Sequence, residues 1–183
     1  MEIIGSHLGA VLVLRARRYA DARGSFTETY NRRVLASLGV PDEFVQDNQS
    51  HSLHVGTIRG LHLQLEPHAQ GKLVRVLRGR ALDVVVDLHR DSTTFKRHVT
   101  VELTAAEGTQ VWVPPGFAHG FCTLEPDTEV LYKVTAYYEP TADRSIRWND
   151  PELAIDWPFD AARVTLSDKD SRAPTLAELE GRG

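Results

Sequence analysis

The stretch Arg59-Gly60-Leu61-His62-Leu63-Gln64 places a histidine inside a run of strand-forming residues. Side chains alternate between the two faces of a strand, so His62 and Gln64 share one face and Leu61, Leu63 and Leu65 the other. If the strands pack with that first face in solvent, His62 is an ordinary surface residue. If they enclose a cavity, His62 lines it, and an imidazole with an unperturbed pKa of about 6.5 can take and return protons near neutrality. A second histidine, His119, follows Gly108-x5-Pro114-x-Gly116. Glycine and proline allow a sharp corner there, just ahead of His119. The histidines at His7, His51, His54, His89 and His98 lack matching spacing. Cys122 is the one cysteine, which excludes an intrachain disulfide and a cysteine-based zinc site.

The chain that must position these groups has 183 residues, a length that suits one globular domain over residues 1–183 with a single core. At 42% hydrophobic and 25% charged it is unlike a disordered chain. Its apolar runs fall short of the roughly 20 residues of a membrane helix. The start, Met1-Glu2-Ile3-Ile4-Gly5, lacks the basic stretch and apolar core of a signal peptide, so the expected location is the cytoplasm. With 21 Lys+Arg against 25 Asp+Glu the net charge is −4, which argues against a nucleic-acid or membrane partner while leaving room for single basic pockets.

Short apolar runs recur between turn residues from Val11 to about Tyr137, with neither repeats nor an interdomain linker. Val11–Leu14, Thr57–Leu65, Leu73–Leu77, Ala81–Leu88, His98–Leu103, Gln110–Val113 and Val130–Tyr137 have the length and composition of strands. Gly79, Gly108 and Pro114-Pro115-Gly116 punctuate them. Two segments read as helical: Arg32–Ser37, opened by Asn31 and stopped by Gly39-Val40-Pro41, and Leu176–Glu180, opened by Pro174-Thr175. Many short strands with few helices predict an all-β sandwich or barrel with helical additions at its edges.

The stretch from Gly108 to His119 resembles the second sequence motif of the cupin superfamily, a jelly-roll β-barrel, with Thr123 at a final position usually held by Asn. Gly56-x5-His62 and on to Gly79 sits where the first cupin motif belongs, but its His-x-His pair is broken because Gln64 takes the second place. Two histidines and a carboxylate can still hold non-haem iron. An amide is a poor transition-metal ligand, however, and the nearest carboxylate, Glu66, is out of register. The expectation is therefore a pocket without metal or other cofactor whose histidine does acid–base work.

A narrower resemblance rests on an ordered series: Arg23-Gly24-x-Phe26-x-Glu28, Gln46-Asp47-Asn48, Arg59-Gly60-Leu61-His62-x-Gln64, Gln70-Gly71-Lys72-Leu73-Val74-Arg75 and Val86-Asp87-Leu88. It continues through Val113-Pro-x-Gly-Phe-Ala-His119-Gly-Phe121, Tyr132-Lys133, Tyr137-Tyr138, Trp148-Asn149-Asp150-Pro151 and Leu166-Ser167-x-Lys169-Asp170. Together these resemble the dTDP-4-dehydrorhamnose 3,5-epimerase family from about Val11 to Pro174. The resemblance implies inversion of C3 and C5 of dTDP-4-dehydro-6-deoxy-D-glucose through enolates, giving dTDP-4-dehydro-L-rhamnose. It also implies a homodimer in which an N-terminal segment of one subunit reaches the other's site.

By the same resemblance His62 is the base and Asp170 its orienting carboxylate. Lys72 steadies the enolate and Tyr132 returns a proton from the opposite face. Arg23, Arg59 and Lys169 match diphosphate contacts. Glu28, Gln46, Asp47 and Asn48 match hydrogen-bonding partners of the nucleotide. Tyr138 corresponds to the residue that stacks on thymine, with Phe26 as a neighbour, and His119 and Asp143 match positions near sugar or phosphate. The chain departs from the family pattern between Asn48 and Gly56, at Leu63 in place of a frequent aromatic, and at Glu66-Pro67 in place of a Pro-Pro pair. Inversion of one carbon only, a metal-dependent cupin activity, and a nucleotide-sugar binding module without turnover are the competing expectations.

Overall fold

Alternation along each strand decides the architecture. The computed structural model describes residues 1–40 and 43–181. The elements in chain order are β1 (Glu2–His7), β2 (Val11–Arg15), β3 (Arg18–Asp21), β4 (Gly24–Thr27), α1 (Arg32–Ser37), β5 (Gln46–Ser52), β6 (Ile58–Gln64) and β7 (Lys72–Arg78). They continue with β8 (Arg80–Asp87), β9 (His98–Thr104), β10 (Thr109–Val113), β11 (Phe117–Thr123), β12 (Thr128–Val134), β13 (Asp143–Ser145), α2 (Asp168–Ser171) and α3 (Leu176–Glu180). A six-stranded sheet in the order β1-β2-β10-β7-β12-β5 faces a five-stranded sheet in the order β13-β6-β11-β8-β9, and β3 and β4 form a separate hairpin. The pairings between these strands are antiparallel. The fold is the expected all-β, cupin-type jelly roll with short peripheral helices.

Between the sheets, Val74 and Val76 of β7, Val85 of β8, Leu103 of β9, Val111 and Val113 of β10, Phe117 and Phe121 of β11 and Val130 of β12 form one apolar cluster. Each such side chain stabilises the fold by roughly 1.5–3 kcal/mol relative to exposure. The same inward faces carry polar residues at neighbouring positions of the two-residue period: Lys72 on β7, Asp83 on β8, His119 on β11 and Tyr132 on β12. The interior thus passes from packed valines to titratable groups along single strands.

The five-stranded sheet is covered on its outer face as well. Leu61 and Leu63 of β6, Val84 and Val86 of β8 and Ala118 and Cys122 of β11 pack under Ile146, Trp148, Leu153, Trp157 and Leu176 of the C-terminal segment. Leu61 and Leu63 therefore point away from the interior and His62 and Gln64 point into it, whereas Leu65, expected on the core face, is 43% exposed. On the six-stranded sheet, Leu35 and Val40 pack with Leu14, Leu73 and Trp112 to seat α1.

Local signals behave as their chemistry dictates. Asn31 caps α1 by accepting from the backbone N–H of Arg33 and Val34, and Thr175 closes α3 with a capping box to Glu178. Pro41, expected to help stop α1, lies outside the described residues. Gly60 has φ +127°, and a Cβ there would stand 2.5 Å from the Gly120 Cα, so β6 and β11 approach too closely for a side chain at that point. Several elements fall outside the predicted runs. β1, β5, β11, β13 and the β3–β4 hairpin are additional strands, α2 is a third helix, and the strand expected to reach Tyr137 ends at Val134.

Candidate active site

Where the apolar filling stops, a cavity of about 510 Å³ opens between the sheets. From the five-stranded side come His62 and Gln64 of β6, His119 of β11 and Asp143 of β13; from the six-stranded side come Lys72 of β7, Tyr132 of β12 and Gln46 and Asn48 of β5. Register explains the grouping. His62 lies opposite His119 in the β6–β11 ladder, and Asp143 lies opposite Gln64 in the β13–β6 ladder. On the other sheet, Tyr132 sits opposite both Asn48 of β5 and Val74 of β7, two residues along from Lys72.

His62 presents its Nε2 to the Asp170 Oδ1 at 2.6 Å, which leaves Nδ1 as the ring nitrogen available to the cavity. The imidazole is partly exposed while the carboxylate is buried, at 31% and 4% of side-chain surface. Asp170 is brought there by α2, a single turn whose N-cap, Ser167, accepts from the Asp170 backbone N–H. Lys72 Nζ donates to the His62 carbonyl at 3.1 Å. His119 Nε2 pairs with Asp83 Oδ2 at 2.7 Å, with both side chains buried. At the mouth, Asp143 forms an ion pair with Lys169 and accepts a hydrogen bond from the Tyr138 hydroxyl at 3.2 Å. Arg59 lies on the rim, its guanidinium donating to the Ser52 hydroxyl and the His51 carbonyl.

Eleven of the fifteen expected site residues therefore line one cavity: His62, Lys72, Tyr132, Asp170, Gln46, Asn48, Arg59, His119, Tyr138, Asp143 and Lys169. Four do not line it within this chain. Asp47 falls on the opposite face of β5 from Gln46 and Asn48 and is bonded to Lys133 at 2.8 Å. Arg23, Phe26 and Glu28 belong to the β3–β4 hairpin and its exit; Arg23 is tied to Asp21 at the turn, and Phe26 is 69% exposed. Among the described residues, no three of His, Cys, Asp and Glu converge as a metal-ligand set.

The comparisons with known proteins agree on one family. The family model described as dTDP-4-dehydrorhamnose 3,5-epimerase matches residues 6–178. A curated relative from Sinorhizobium fredii, named dTDP-4-dehydrorhamnose 3,5-epimerase, is 48% identical over 94% of this chain and 88% of its own length. A crystal structure of the dTDP-4-dehydrorhamnose 3,5-epimerase from Bacillus anthracis with TDP and PPi bound is 50% identical and superimposes with a TM-score of 0.93 over 96% of this chain and 99% of that one. The Legionella pneumophila dTDP-6-deoxy-D-glucose-3,5-epimerase in complex with dTDP-4-keto-L-rhamnose is 41% identical with a TM-score of 0.93, over 99% and 95% of the two chains. The chain belongs to the dTDP-4-dehydrorhamnose 3,5-epimerase family.

The electrostatics of this epimerase-family cavity separate its groups by role. Burial pushes Lys72 down to about 8, against the opposing pull of Asp143 and Asp83, so its charge is held in a dry site and is readily lost. Burial also raises the Tyr132 phenol, partly offset by Arg59, and keeps it protonated at neutral pH. Burial alone would raise Asp170, but the hydrogen bond and charge of His62, with Ser167 and the Gly60 backbone, outweigh it and hold the carboxyl below its ordinary range. The site contains an ionised carboxylate on an imidazole, an activated cation and a phenol that can donate. Two further groups, Asp83 and Gln64, were not singled out as site residues from sequence. Asp83 does carry a signal, a carboxylate within the apolar run Ala81–Leu88.

Proposed function

We propose that this cavity inverts C3 and C5 of dTDP-4-dehydro-6-deoxy-D-glucose, yielding dTDP-4-dehydro-L-rhamnose, the isomerase reaction for which the family is named. The observation that carries this reading is the placement of the His62–Asp170 pair on one wall and of Lys72 and Tyr132 on the other. A hydrogen next to a ketone is removable because the charge left behind spreads onto the oxygen. His62 takes that proton at Nδ1, and Asp170 steadies the imidazolium that forms. Lys72 faces the enolate oxygen, a contact worth roughly 3–4 kcal/mol by analogy with oxyanion-hole donors. Tyr132 then donates its hydroxyl proton to the opposite face of the same carbon, and solvent returns both side chains to their starting states. The sequence repeats at the second carbon, and every proton is accounted for by side chains and water without a cofactor.

Arg59 and Lys169 are assigned to the diphosphate, Tyr138 to the thymine ring, and Gln46, Asn48, Asp143 and His119 to polar edges of the nucleotide sugar. Arg23 and Phe26 lie on the exposed β3–β4 hairpin and its turn, Glu28 follows it, and none of the three lines this chain's own cavity. They fit a homodimer in which each hairpin completes the partner's site, with Asp47 on the outer face of β5 nearby in sequence to the mouth residues. Residues 1–183 then form one catalytic unit, acting in the cytoplasm; no described helix is long and apolar enough to cross a membrane.

Proton NMR of the dTDP-4-keto-6-deoxyglucose substrate in heavy water tests the proposal. Deuterium at both C3 and C5 with inverted configuration supports it. Label at a single carbon would replace it with mono-epimerisation, and binding without label would leave a nucleotide-sugar binding module.

A further inference from the structure

The segment that follows β12, from Thr135 to Glu139, is neither helix nor strand, yet it carries Tyr138 to the cavity mouth. Irregular backbone near a protein interior needs partners for its N–H and C=O groups. At the two ends they are backbone groups, the Gly71 carbonyl for the Thr135 N–H and the Ala142 and Asp143 N–H groups for the Glu139 carbonyl; between them three glutamine side chains serve. Gln70 Nε2 donates to the Ala136 carbonyl at 2.7 Å. Gln64 Nε2 donates to the Tyr137 carbonyl at 3.2 Å, and its Oε1 accepts from the Glu139 N–H at 2.8 Å. Gln46 Oε1 accepts from the Tyr138 N–H at 3.2 Å. The Tyr137 carbonyl and the Tyr138 N–H belong to one peptide plane, which is thus gripped by a glutamine from each sheet. Gln64 is 4% exposed and uses its second donor on the His68 carbonyl at 2.7 Å, so both ends of its amide are engaged by backbone.

We infer that Gln64 is a positioning residue for nucleotide recognition: by clamping the Tyr137–Tyr138 peptide it fixes the Tyr138 ring at the mouth before the nucleotide arrives. The inference rests on the assignment of Tyr138 to the nucleobase. Its energetic content is preorganisation. A ring already held in place loses little freedom on binding, so the clamp contributes to ground-state affinity and leaves proton transfer at His62 and Tyr132 untouched.

Gln64→Glu is the probing substitution, since it keeps the acceptor for the Glu139 N–H and turns two donated bonds into contacts between oxygens. Gln64→Met, which removes the amide at similar volume, serves as the second variant if the first does not fold. Three readouts decide the matter. Native-state hydrogen exchange of the Tyr138 and Glu139 amides should speed up at least tenfold with global stability exchange rates accounted for, a measurement that needs no ligand. The Kd for dTDP and the KM should each rise about tenfold while kcat at saturation stays within about threefold. In a Tyr138→Ala background the same Gln64 change should weaken dTDP binding less than twofold further, because the ring through which it acts is gone. Unchanged amide exchange, a fall in kcat without a rise in KM, or full additivity with Tyr138→Ala would each overturn the inference. If the unmodified protein fails to bind dTDP while the exchange result holds, the clamp stands and the nucleotide assignment is what fails.

Discussion

His62 Nε2 and Asp170 Oδ1 meet at 2.6 Å across 108 positions of sequence, one from the middle of a sheet and the other from a single helical turn near the C-terminus. A buried carboxylate on an imidazole orients the ring and stabilises its protonated form, which is what a base must become after taking a proton.

Asp170→Asn keeps the shape and removes the charge. Solvent deuterium incorporation should slow by about 10²–10⁴, with dTDP affinity close to that of the unmodified protein. An incorporation rate within threefold of the original would show that His62 does not depend on this partner.

Tyr132→Phe should separate the two halves of each inversion. With the phenol gone, His62 can still withdraw a proton and return a deuteron to the face it came from. Label should continue to enter the substrate while product of inverted configuration falls at least tenfold; equal losses of both would remove Tyr132 from the donor role.

Lys72 sets a prediction on the alkaline side. Its pKa in the folded protein is lowered to about 8 by burial, against about 10.4 for an exposed lysine. Above pH 8 the folded protein loses this charge, and kcat/KM should fall tenfold per unit. Between those two values the unfolded chain binds the extra proton, so this lysine's contribution to stability rises with pH. Urea unfolding at pH 7 and pH 9.5 should therefore show the gap between the original protein and Lys72→Met narrowing at the higher pH.

Gly60→Ala tests the strand contact beneath the base. The new Cβ would lie 2.5 Å from the Gly120 Cα, at a φ of +127° that alanine rarely adopts. Unfolding free energy in urea should drop by about 2 kcal/mol or more, with activity reduced through displacement of His62.

Much of this fold was legible because half-buried strands advertise themselves. Val11–Leu14, Leu73–Leu77, Ala81–Leu88 and Gln110–Val113 fall within observed strands or overrun them by a residue, and both expected helices start at their caps. β5 was not legible, since Gln46–Ser52 contains no apolar residue and its alternation appears only in burial. Missing that strand also hid the reason Asp47 parts from Gln46 and Asn48, which is a period of two. α2 gave one faint sign, Ser167 three residues before Asp170, a capping pattern shorter than any periodic signal. His62, Lys72 and Tyr132 could be nominated from the ordered motifs. Their convergence could not, because it depends on which strands neighbour one another across the sandwich. The glutamine bonds to the Thr135–Glu139 backbone left no trace in composition at all.

The acid–base groups stand on different sheets, and nothing covalent nearby fixes the span from one wall to the other. Between the same two sheets lies the valine and phenylalanine layer of Val74, Val85, Val111, Phe117 and Phe121, against which Tyr132 packs and whose Phe121 also lines the cavity, and its thickness sets that span. The apolar filling acts as a spacer bar for the chemistry. Trimming Val111, which belongs to this layer but does not line the cavity, should alter the stereochemical yield before it melts the protein, so the fidelity of inversion is a gauge of how well the barrel is stuffed.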